Sequence, residues 1–105
     1  GFTFKENCSD VRNSKVYDLY NLLIKNNSVD IYDPLVDAFE LSKQYNLKKI
    51  NKLKESYYDV VIICVKHKIF KNIGLEKIFK SLKSKSILFD VKNLFNHDKR
   101  VDMTL

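Results

Sequence analysis

The chain has 105 residues, 45% hydrophobic and 12% aromatic, which is the size and composition of one folded domain with a modest core. Its formal charge of +6 and pI near 9.3 suit an anionic partner: nucleic acid, an anionic membrane or a phosphorylated small molecule. Asp and Glu interspersed among the lysines also fit a plain solvated surface. Gly1 and Gly74 are the only glycines, so a Rossmann fingerprint and a Walker loop are both excluded, because each needs several glycines for close backbone approach to phosphate.

Phe2 to Phe4 read as the end of a strand whose earlier part precedes Gly1, a first sign that the chain is a piece of something longer. Lys5 to Asn13 is a polar loop, and Asn13 or Ser14 can cap a helix that begins there. Val16, Leu19, Tyr20, Leu23 and Ile24 form one apolar stripe at helical spacing. Asn26-Asn27-Ser28 breaks it, Val29 to Tyr32 is a short strand, and Asp33-Pro34 ends that strand. Leu35 to Gln44 predicts a second helix with Leu35, Ala38, Phe39 and Leu41 inward, and Asn46 to Ser56 a turn and a short Lys-rich amphipathic helix. Asp59 precedes the continuous run Val60-Val-Ile-Ile-Cys-Val65, the pattern of a central parallel strand covered on both faces. Lys66-His67-Lys68 is the loop at its C-terminal end. Ile69 to Ile73 is a turn or short helix, Leu75 to Leu82 a helix, Ser86 to Asp90 a strand, and Val91 to Leu105 a tail without strong period.

This alternation predicts an α/β domain: a three-layer α/β/α, Rossmann-like arrangement around a mostly parallel sheet of about four to five strands. Right-handed crossovers place the C-terminal ends of the strands on one rim, where ligands bind in open α/β sheets. Lys5, Arg12, His67 and Lys92 should meet there. Lys5 and Arg12, two cations beside a helix start, suit a phosphate-bearing ligand. The competing reading is a solvated pair, or an ion pair with Glu6 or Asp10.

Other candidate chemistry is thin. Cys8 has cations near it but no histidine nearby in sequence to act as base. Cys64 lies inside the central strand and reads as core. Two cysteines are too few for a disulfide framework, so free thiols and a cytoplasmic location are expected. His67 could contact a ligand or act as a base, yet no carboxylate partner is visible in its neighbourhood. His97 has a weaker claim. No His/Cys/carboxylate cluster has metal spacing, so no metal is expected. The lysines between Lys48 and Lys54 fit a solvated helix face. Phe39, Phe79 and Phe89 are better used in the core than as nucleic-acid stacking platforms, and no nucleic-acid partner is expected. The longest apolar run is far short of the ~20 residues that span a membrane.

The opening Gly1-Phe-Thr-Phe-Lys-Glu-Asn-Cys-Ser-Asp-Val-Arg-Asn-Ser-Lys15, followed by a helix and Val29-Asp-Ile-Tyr-Asp-Pro34, resembles the C-terminal, UDP-binding domain of the UDP-glucose/GDP-mannose dehydrogenase family. The likeness continues through Tyr58-Asp-Val-Val-Ile-Ile-Cys-Val-Lys-His67 and Ile87-Leu-Phe-Asp-Val-Lys92, and the forms are most similar to UDP-N-acetylhexosamine 6-dehydrogenases, including those that make N-acetylgalactosaminuronic acid. The resemblance implies that residues 1–105 are the UDP-sugar-binding C-terminal domain of a longer enzyme, with the first strand truncated. That enzyme oxidises the C6 hydroxymethyl of a UDP-sugar to the uronic acid for surface polysaccharide, through two hydride transfers to NAD and a thiohemiacetal on a catalytic cysteine. The implied partners are UDP-sugar, an N-terminal NAD-binding domain and a central dimerising domain, with a homo-oligomer as the assembly. NAD is then bound mainly outside this chain, and no catalytic residue falls within it. By motif position Phe4, Lys5 and Lys92 are the substrate contacts and Arg12 the cofactor contact. Lys92 stands where many relatives have arginine, which keeps charge and loses the bidentate fork. A freestanding nucleotide-binding module, or an interaction module without catalysis, is the alternative.

Overall fold

The computed structural model describes residues 1–105. In chain order it contains α1 (Val16–Leu23), α2 (Ala38–Tyr45), β1 (Tyr58–Ile63), α3 (Lys68–Ile73), α4 (Leu75–Lys80), β2 (Leu82–Asp90) and β3 (Met103–Thr104). The strands form one parallel sheet in the order β1-β2-β3. Val60, Val61, Ile62 and Ile63 pair with Ile87, Leu88, Phe89 and Asp90, after a slip in the ladder beyond Tyr58. Two parallel neighbours need a crossover, and α3 and α4 supply it between β1 and β2. The α/β class therefore holds.

Two hydrophobic clusters form the core. Ile63, Phe70, Leu75, Ile78, Leu82, Leu88 and Leu94 join the sheet to α3, α4 and the segment after β2. Phe2, Val11, Ile31, Val36 and Leu41 join the opening segment to α2. Helical spacing selects the buried face of each helix: Leu75 and Ile78 on α4, Leu41 on α2.

Several expectations are corrected. The sheet formed within residues 1–105 has three strands. Phe2–Phe4 is outside it because the Phe2 N–H donates to Asp33 Oδ2 at 2.8 Å and its carbonyl accepts from the Ser14 hydroxyl, so no ladder partner is left. Val29–Tyr32 reduces to an isolated parallel bridge between Tyr32 and Ile50. That bridge also displaces the helix expected over Asn46–Ser56: Asn46 ends α2 in a left-handed conformation (φ 55°), and the Ile50 amide donates to the Ile31 carbonyl at 2.8 Å. Of the run Val60–Val65, only Val60–Ile63 lies in β1, and within these residues β1 is at the sheet edge, with Val60 47% exposed. Phe39 and Phe79 are exposed, since the turns of α2 and α4 that carry them bury Leu41 and Ile78 instead. The tail contains β3, whose two residues gave no period to detect.

Candidate functional site

The opening loop is built on a buried polar cluster. Thr3, Asp33 and His67 are each at most 1% exposed. His67 Nδ1 accepts the Asn7 backbone N–H at 2.8 Å, so the ring proton sits on Nε2. Nε2 then donates to Asp33 Oδ2 at 3.0 Å, with Thr3 Oγ1 also near at 3.2 Å. The Thr3 hydroxyl donates to the Lys5 carbonyl at 2.7 Å, and the Lys68 N–H donates to Asn7 Oδ1 at 2.7 Å. Asp33 also accepts the N–H groups of Phe2 and Leu35. Asn7 takes the left-handed conformation (φ 58°) that asparagine tolerates better than most residues.

This clamp turns the residues between Thr3 and Asn7 outward. Phe4 is 53% exposed and lines a shallow depression with Asn13, Ser14, Lys15 and Asp18. Lys5 and Glu6 are exposed, and neither forms an ion pair. Further on, the Val11 carbonyl accepts from the Tyr45 hydroxyl, and Ser14 Oγ accepts the Val16 N–H at 3.2 Å, so Ser14 serves the first turn of α1 as a cap would.

Arg12 folds back on its own loop. Its backbone N–H, Nε and Nη2 all donate to the Asp10 carboxylate at 2.9–3.2 Å, while its side chain stays 71% exposed. The Arg12 hydrogen bonds hold the Asp10 carboxyl down at about 2. The pair uses Nε and Nη2 and leaves Nη1 free to meet an anion.

Lys92 occupies the turn after β2. Asp90, fully buried, accepts the N–H groups of Leu94 at 3.0 Å and Phe95 at 2.9 Å, and the Val91 N–H donates to the Ile63 carbonyl at 3.1 Å. Lys92 is therefore exposed beside the end of β1. The His67 segment is tied to the opening loop through Asn7, and the Lys92 turn to the end of β1 through Val91. The Lys92 side chain forms no ion pair.

His67 was expected to lack a carboxylate partner. It has one, Asp33, 34 positions away. Asp33, Thr3, Asn7 and Asp90 gave no signal as site-forming residues, and Asp33-Pro34 read only as a strand end. Cys8 Sγ accepts the Asp10 N–H at 3.4 Å, and both His67 ring nitrogens are engaged elsewhere. Cys64 is half-buried rather than core; it lines a groove, and burial pushes its thiol pKa up. No helix is long and apolar enough to cross a membrane.

The model of the UDP-glucose/GDP-mannose dehydrogenase family, UDP binding domain, matches residues 1–97. The chain belongs to this family. It is 44% identical over 93 residues to UDP-N-acetyl-D-glucosamine 6-dehydrogenase of Salmonella typhi, covering 88% of this chain and 22% of that protein. It is 41% identical over 100 residues to the enzyme of the same name from Pseudomonas aeruginosa, covering 94% and 24%. Protein CapL of Staphylococcus aureus is 34% identical over 100 residues, covering 94% and 23%. This family domain thus spans about a quarter of the length of the curated relatives it matches. No solved structure matches it significantly.

Proposed function

We propose that this domain binds the UDP part of a nucleotide sugar within an NAD-dependent 6-dehydrogenase, which oxidises the C6 hydroxymethyl of a UDP-N-acetylhexosamine or UDP-glucose to the uronic acid for surface polysaccharide. The observation that carries the reading is the clamped opening loop, which turns Phe4 and Lys5 outward at the positions matching the family's substrate contacts. Lys5 and Lys92 act by charge on the UDP-sugar, Lys92 without the bidentate geometry of an arginine. Phe4 covers the depression beside Asn13 and Lys15.

Arg12 faces the cofactor across an interdomain cleft. Its exposed guanidinium with Nη1 unused fits one phosphate contact, and two glycines in the whole chain leave no loop to cradle a dinucleotide, so other domains hold most of the NAD. NAD, when bound, accepts hydride; these residues contribute binding and orientation. The enzyme is cytoplasmic and assembles as a homo-oligomer through a central domain. The test is Lys5→Ala in the full-length enzyme, which should weaken UDP-sugar binding by about 1.5–3 kcal/mol through loss of a charge-assisted contact. Unchanged affinity would remove Lys5 from the site. Arg12→Ala should weaken NAD and leave UDP binding in place.

We further propose that the first strand begins upstream of Gly1 and completes a larger, Rossmann-like sheet with helices on both faces. In support, β1 has a free edge, and its Val60, Val61 and Ile62 line a groove of about 580 Å³ together with Leu19, Tyr20 and Leu23 of α1. The α1 stripe is only half-buried beside this groove. Gly1 lies in the groove, and its backbone nitrogen donates to the Tyr32 carbonyl at 3.1 Å, as a strand neighbour would. Amide exchange at Val60–Ile62 should slow in a protein extended by its upstream reading frame. Equal exchange with and without the extension would exclude the strand.

A further inference from the structure

We propose that His67 is a positioning residue for the UDP-binding loop, and that it acts through Nδ1 as a hydrogen-bond acceptor. The inference rests on the UDP-binding reading of Phe4 and Lys5 and adds a residue to it that touches no ligand. One imidazole holds both ends of the exposed span. On its N-terminal side Nε2 reaches Asp33 at 3.0 Å and Thr3 at 3.2 Å, and Thr3 fixes the Lys5 carbonyl. On its C-terminal side Nδ1 takes the Asn7 N–H at 2.8 Å. Phe4, Lys5 and Glu6 lie between these ties, and their own side chains form no hydrogen bond or ion pair.

The two ring nitrogens do different work. The Nε2–H satisfies the buried Asp33 carboxylate, so losing it leaves a buried charge short of a donor, a matter of stability. The Nδ1 lone pair sets the place where the chain turns at Asn7, a matter of loop geometry. Asn and Gln separate the two. His67→Asn can put an amide oxygen near the Nδ1 position and nothing near Nε2. His67→Gln reaches the Nε2 position with an amide N–H and offers no acceptor at Nδ1.

In the full-length enzyme, with UDP as the titrant, His67→Gln should keep most of the thermal stability and bind UDP about tenfold more weakly. Lys5→Ala added to it should cost little more, because the lysine is already misplaced. His67→Asn should melt lower yet hold UDP near the wild-type affinity below its melting point. UDP affinity that follows stability across both variants, or a His67→Gln enzyme that binds UDP like wild type, would overturn the proposal. Exchange of the Asn7 amide reads the tie without ligand: protection lost in His67→Gln supports it, and protection kept overturns it. Should the wild-type enzyme bind no UDP at all, the functional reading fails, and Asn7 exchange still decides the role of His67 in the loop. Should neither variant fold, the ring tautomer in the wild-type protein decides, with a proton found on Nδ1 overturning the proposal.

Discussion

Asp33 has no exposed surface and accepts from three donors: the Phe2 N–H, the Leu35 N–H and His67 Nε2. A buried carboxylate is tolerated only with such partners. Removing it strands those donors inside the protein. Asp33→Ala is expected to lower stability by about 3 kcal/mol, read as an earlier urea midpoint, and a loss below about 1 kcal/mol would show that the cluster does not hold the loop. Tyr58 offers a pH test. Desolvation, aided by its 2.8 Å hydrogen bond to Asp30, pushes the phenol pKa up to about 12. An unfolded tyrosine ionises near about 10, so between these values the folded state keeps a proton that the unfolded state has lost. The contribution is present below pH ~10 and vanishes as pH rises through ~12. Wild type should therefore lose stability more steeply over that window than Tyr58→Phe, and parallel pH profiles would contradict the assignment. By contrast, the Asp10–Arg12 pair is open to water, and its disruption should show in cofactor affinity rather than in melting.

At the scale of elements, two aspartates start or end structure by accepting backbone N–H groups. Asp37 caps α2 through the Phe39 N–H at 2.8 Å, and Asp37→Ala should cost about 1 kcal/mol. Asp90 closes the turn that carries Lys92, with two N–H groups on one carboxylate. Asp90→Ala should cost about 2 kcal/mol in unfolding free energy and also weaken UDP binding, because Lys92 loses its fixed base. A variant that is destabilised but binds UDP normally would place Lys92 outside the site. The elements were legible where the local pattern is strong. The 3.6-residue stripe of α1, the short α3 and α4 and the β-branched run of β1 were all readable, although the α1 stripe is only half-buried. The cap of α1 was readable only in part: Ser14 accepts the Val16 N–H, but Lys15 occupies the N-cap position. The helix expected over Asn46–Ser56 failed because Asn46 ends α2 in a left-handed conformation and Ile50 is committed to its bridge with Tyr32, a distant pairing that the local apolar spacing does not reveal.

For the molecule as a whole, charge sets reach rather than fold. A net +6 attracts a diphosphate through water, and salt screens it with a Debye length of about 10 Å at about 0.1 M. UDP affinity should therefore fall as salt rises, and Lys5→Ala should flatten that dependence; a salt-independent affinity would point to binding by apolar contact instead. The 105 residues by themselves should not turn over UDP-sugar, since the hydride acceptor site and the nucleophile lie in other parts of the proposed enzyme.

The sequence by itself determined the α/β class, the parallel sense of the sheet and the family, because alternating helical and β-branched periods and several motif stretches in order are local properties of the chain. It also exposed Lys5 and Lys92 as loop cations. What only the tertiary structure decided is the cluster beneath them. Asp33 and His67 find each other across 34 positions, and Asn7 finds His67 across 60. No periodicity encodes such a meeting, because a hydrogen bond between distant segments exists only after the chain has closed around it.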